Sequence, residues 1–98
     1  MYTGDYYFLG DVIFTKMSKQ IIVNADITTK PIWPMGETIT IGYIPNGWYP
    51  SINVYAPLIV YSFVRGIVWF TLDGKINVIP TEQIDTTSYV RFNLSYTV

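Results

Sequence analysis

From Ile21 to Thr28 the chain alternates without a break: Ile21, Val23, Ala25 and Ile27 point one way, and Ile22, Asn24, Asp26 and Thr28, a mostly polar set, point the other. A period of two marks a strand with one face on a core and the other in solvent. The same period runs through Asp11 to Met17, and Ser18-Lys19-Gln20 turns that strand into the next. It returns in Glu37 to Tyr43, with Ile39, Ile41 and Tyr43 on the expected inner face, in Ile52 to Val60, and in Lys75 to Ile79. It closes the chain in Ser88 to Val98, where Val90, Phe92, Leu94 and Tyr96 face in and Tyr89, Arg91, Asn93 and Ser95 face out. Tyr6 to Leu9 is a further, short candidate.

Turn signals separate these runs at about 8–12 residue intervals, the spacing of a sandwich or barrel. Pro31 and Pro34 flank Trp33 in a stretch that lacks ladder donors and reads as a crossing loop or a sheet edge. Asp73-Gly74 between apolar runs predicts a hairpin with positive φ at both turn positions. Nothing reads as a helix, since Val, Ile, Thr, Tyr, Phe and Trp dominate over the good helix formers. The predicted fold is therefore all-β, a single domain over residues 1–98 built as an antiparallel β-sandwich or small β-barrel.

One segment departs from one-faced alternation. Between Leu58 and Leu72 both faces are apolar, with Ile59, Tyr61, Phe63, Ile67 and Trp69 on one side and Leu58, Val60, Val64, Val68 and Phe70 on the other. A strand apolar on both faces is normally covered on both. Two coverings are open: a subunit interface, for which Tyr61, Phe63, Ile67 and Trp69 are the candidate residues, or long loops of the same chain.

Composition bears on that choice. Half of the 98 residues are apolar and 13% are charged, against roughly 25% charged in an ordinary soluble domain. A domain this small gains stability from disulfides, a metal or self-association. With no cysteine and no histidine in the chain, disulfides and thiolate or imidazole metal sites are excluded, and association is the remaining route. The net charge is −1, and Lys16, Lys19, Lys30, Arg65, Lys75 and Arg91 are scattered. No basic stripe for nucleic acid follows from that distribution. The N-terminus lacks the basic and apolar regions of a signal peptide. The apolar block from Tyr55 to Phe70 is too short for a membrane span and is interrupted by Pro57, Ser62, Arg65 and Gly66.

Catalytic signatures are missing. Without histidine or cysteine no Ser/His/Asp or Cys/His arrangement can form. The carboxylates Asp5, Asp11, Asp26, Glu37, Asp73, Glu82 and Asp85 fall mostly at turns and strand ends, with no paired catalytic context. The expectation is a protein that is not an enzyme and needs no cofactor. What the chain has is nine Tyr, five Phe and three Trp. Aromatic faces take the C–H faces of sugar rings, while amides and guanidinium groups take the hydroxyls, and rings give large contact area at small entropic cost. Trp33 and Trp48, in proline-bounded loops, are candidate platforms beside Tyr49, with Arg91 and Asn93 on the outward side of the last strand. Core or interface packing is the competing role for each ring, and is the reading for Trp69 in mid-strand. Asn93-Leu94-Ser95 also matches a glycosylation sequon, a short pattern of low specificity.

In order along the chain come Gly10-Asp11-Val12-Ile13-Phe14, Ile41-Gly42-Tyr43-Ile44-Pro45-Asn46-Gly47-Trp48-Tyr49-Pro50, Val54-Tyr55-Ala56-Pro57, Asp73-Gly74 and Tyr89-Val90-Arg91-Phe92-Asn93-Leu94-Ser95-Tyr96. This ordered set, over roughly residues 10 to 98, resembles the C-terminal receptor-binding (head) domain of bacteriophage tail-fibre and baseplate proteins. The basic residue usual before the last proline of the loop is Tyr49 here. The resemblance implies a homotrimer about a fibre axis that binds host cell-wall or capsular polysaccharide. It also implies a place in the virion at the tail tip or baseplate, joined to other tail proteins through an upstream stem. The same fold without a ligand would serve as a structural trimerisation or baseplate-docking module. A third reading is an accessory carbohydrate-binding domain of a cell-wall hydrolase.

Overall fold

The computed structural model describes residues 2–3 and 6–98, and the chain is all-β through them. The strands are β1 (Tyr2–Thr3), β2 (Phe8–Met17), β3 (Gln20–Thr29), β4 (Ile39–Tyr43), β5 (Val54–Val60), β6 (Phe63–Phe70), β7 (Lys75–Pro80) and β8 (Tyr89–Thr97). They form one antiparallel sheet in the order β1-β2-β3-β8-β5-β6-β7-β4, curled into a half-barrel. The expected antiparallel sandwich or small barrel is thus present as a single sheet wrapped around its own core. Asp5 lies outside the described residues.

The sheet has two halves. β8 pairs with β3 over nine residues, from Gln20↔Thr97 to Thr28↔Tyr89. On its other side it meets β5 only at Ile59↔Arg91 and Val60↔Val90. Two features of β5 account for so short a seam. Pro57 has no N–H to give to a ladder, and a bulge between Leu58 and Ile59, with Arg65 as the extra residue of β6, bends the hairpin there. Beyond Pro57 the two strands part.

The concave side holds the core. Ile21, Val23 and Ile27 of β3, Val90 and Phe92 of β8, Leu58 of β5, Val68 and Phe70 of β6 and Ile76 and Val78 of β7 are all buried. Phe70 joins the halves, its ring centroid 5.9 Å from Phe14, 6.2 Å from Phe92 and 6.2 Å from Tyr96. Such aromatic pairs add about 0.5–1.5 kcal/mol each beyond area burial.

Local irregularities change four expectations. Tyr43 is exposed and Ile44 is buried instead, because Ile41 is an extra residue in the β4–β7 ladder and shifts the alternation by one. The Arg65 bulge likewise exchanges Phe63 and Val64. Phe63 pairs with buried Val60 and Val64 with Ile59, and directly opposed residues share a face. Val64 therefore belongs to the outer side, while Phe63 stands at the mouth of the core and is 63% exposed. The hairpin at Asp73-Gly74 has a three-residue loop, closed by Thr71 N–H to Lys75 O and Gly74 N–H to Thr71 O. Of its residues only Gly74 has positive φ, at 94°, which is the turn-plus-bulge form in place of a two-residue turn. Finally, the run expected at Tyr6 to Leu9 is a turn at Tyr6-Tyr7 followed by the start of β2.

Candidate functional site

Where β5 and β8 part, a groove opens on the outer side of the half-barrel. The period of two in β8 puts Arg91, Asn93, Ser95 and Thr97 outward, all exposed. Their partners on β3 are Asp26, Asn24, Ile22 and Gln20, so this wall is polar for most of its length. Across the gap the outward residues of β5 are Ile59, Pro57 and Tyr55, an apolar wall.

The end nearest the seam is a cleft of about 310 Å³ lined by Asn24, Asp26, Pro57, Ile59, Arg91 and Asn93. A shallower depression beside it shares Asn24 and Asn93 and reaches Ser95. The far end, about 510 Å³, lies between the 50–55 segment and Ser95, Tyr96 and Thr97.

A small charged network sets the electrostatics at the seam. The Tyr89 hydroxyl donates to Asp26 Oδ1 at 2.6 Å. That bond, with some burial and the Asp26 charge, raises the Tyr89 pKa above its usual value, and the Arg91 charge opposes the rise. The Arg91 guanidinium lies 5.8 Å from the centre of the Tyr89 ring. Among the described residues Arg65 and Glu82 form the ion pair, and Arg91 has no carboxylate in salt-bridge contact. It lines the cleft with Asp26, Asn24 and Asn93.

The structure separates the residues singled out from sequence. Arg91 and Asn93 come together in the groove. Trp33 does not join them. It is fully buried, its N–H directed to the Tyr7 carbonyl at 3.2 Å and its backbone bridged to Ile84. The proline-bounded loop folds inward and plugs the core, so Trp33 is no platform. Trp48 is half-buried against the core, edge-on to Phe14 at 6.4 Å, with Lys16 Nζ 5.8 Å from its ring centre. Its carbonyl accepts from the Tyr96 hydroxyl at 2.5 Å. Tyr49 lies over Gly74, where an added Cβ would sit 2.5 Å from its Cζ, and its ring ties the 45–50 loop to the β6–β7 turn. These two aromatics shape the end of the molecule beyond the groove.

Of the four candidate interface residues, Ile67 and Trp69 lie on the outer face of β6, with Val64 before them and with the Trp69 ring centre 6.0 Å from that of Tyr55. Among the described residues no loop covers Val64 and Ile67 of this band, which are both exposed, while Trp69 is half-buried beside Tyr55 of the groove wall. Tyr61 and Phe63 stand apart at the β5–β6 turn, beside a cavity of about 500 Å³ that also holds Arg65 and Glu82.

Tyr55, Pro57, Asn24 and Asp26 were not singled out as site residues. The polar outward set of β3 was visible in the alternation. That Asp26 stands opposite Arg91 was not, because the partners are far apart in sequence. Chemically the groove offers an apolar strip facing amides, hydroxyls and a guanidinium, which suits a molecule with C–H faces and hydroxyl edges. No protein-family model matches the chain, and a search of curated proteins returns no match.

Proposed function

We propose that this chain is a phage receptor-binding head domain that holds host cell-surface saccharide in the β5–β8 groove and acts as a trimer. The observation that carries the reading is the pairing of unlike walls: Tyr55, Pro57 and Ile59 against Arg91, Asn93 and their β3 partners. Sugar rings stacked on the first wall would leave their hydroxyls in reach of the second. The ordered sequence elements resemble that family, and the apolar band on β6 offers a surface for two further copies. An uncovered apolar patch of this kind marks an association surface. The groove runs beside that band, so a trimer would carry three grooves. Simultaneous engagement could then raise weak single-site affinity by about 10²-fold or more.

The band also favours a second reading, a trimerisation or docking module with no ligand. Two measurements separate them. Light scattering on the purified chain is expected to give three times its 11.3 kDa mass. An array of bacterial surface glycans is expected to show saturable binding that Arg91→Ala and Asn93→Ala abolish. A trimer with a silent array supports the docking module. A stable monomer with array binding returns the domain to the accessory carbohydrate-binding class.

A further inference from the structure

Resting on the saccharide reading, we infer that the groove takes an extended, unbranched and uncharged saccharide chain laid lengthwise along β5 and β8, in preference to a single terminal sugar. Length is the first support. From Arg91 to Thr97 the polar wall spans six residue steps, about 20 Å at strand rise, or room for about four pyranose rings end to end.

Continuity is the second. Along β8 the depressions follow one another through shared residues, Asn93 between the first two and Ser95 between the second and the last, the middle one lying over β3 and β8 alone. Repetition is the third: outward residues recur on both walls at about 7 Å spacing. An extended ligand would meet the same pair of environments at both ends of the run, Pro57 and Ile59 against Arg91 and Asn93, and Tyr55 against Ser95 and Thr97.

Charge fixes the ligand's character. The seam end holds Asp26 and Arg91, of opposite sign and opposite each other in register, and the far end is lined by no charged residue. A neutral chain matches that balance. An extended strand wall also suits a flat, extended linkage of the β-1,4 kind better than a coiled one.

The test is calorimetry of the whole chain with N-acetylglucosamine oligomers and cello-oligosaccharides of one to six units, with malto-oligosaccharides as the coiled control. Affinity for at least one extended ladder should rise roughly tenfold or more from one to four units and then level off. Raising salt from about 0.05 to about 0.5 M should change Kd by less than about twofold. Tyr55→Ala, at an exposed position that leaves the core intact, should weaken four-unit binding about fivefold. Equal affinity for one and four units would overturn the inference. So would equal binding of the coiled ladder, indifference to Tyr55→Ala, or silence from both extended ladders. If those ladders fail while other glycans on the array bind, the groove assignment falls and the saccharide reading stands. If the array is silent too, both fall.

Discussion

At Trp33 the indole is fully enclosed, with its N–H satisfied by a backbone carbonyl. Trp33→Ala is expected to lower stability by about 3–5 kcal/mol, read as a shift of the urea midpoint, whereas a platform role would have left stability unchanged. Tyr96 is informative in a different way. Burial pushes its hydroxyl from the ordinary 10.0 up to about 12, and the proton is shared with the Trp48 carbonyl. The native state thus keeps a proton that the unfolded chain releases near pH 10. The associated stability is whole below pH 10 and is lost as pH rises through 12. A loss on the order of 1–2 kcal/mol is expected, held below the full linkage value by partial access of water to the hydroxyl. Tyr96→Phe should flatten that alkaline limb and lower neutral-pH stability by about 1 kcal/mol, both measurable by urea titration at stepped pH. Neither role was legible in the sequence. Whether an aromatic in a proline-bounded loop turns in or out depends on what the loop crosses, and Trp33 crosses the open end of a core.

Among the elements, strand positions were legible and phases were not always so. The alternation in β3 and β8 is uninterrupted, and both present the expected faces. In β4 and β6 a single extra residue reverses the alternation, which put Tyr43 and Phe63 on the wrong side. Bulges leave little trace in a sequence because they depend on how two strands meet. At the β6 bulge Gly66 is one trace. A Cβ there would lie 2.5 Å from the Ile79 carbonyl oxygen, so the β6 and β7 backbones approach more closely than any side chain allows. Gly66→Ala is expected to lower stability by roughly 1–3 kcal/mol, measured by thermal unfolding, with no change in fold. The groove was half legible: Arg91 and Asn93 could be placed on an outward face, but their apolar counterpart on β5 needed the β5–β8 seam to be known.

For the molecule as a whole, the bare band on β6 bears on assembly. In a trimer packed through it, Ile67→Lys and Trp69→Lys would each bury a charge without a partner, a change of several kcal/mol per site. Under the proposed function the scattering mass of either variant should fall to that of one chain, 11.3 kDa. An unchanged trimer would place the interface elsewhere. In the sheet order, β8 follows every other strand in sequence yet sits at the centre, between β3 and β5. During synthesis the N-terminal hairpin and the β5–β6–β7–β4 group must therefore wait, each with an unpaired strand edge, for the last segment to emerge. Neither half can be completed early, and exposed edges pair readily with neighbouring chains. A ribosome that stops before Tyr89 would release a chain with two such edges instead of a smaller domain, so a closed sheet depends on translation continuing through β8.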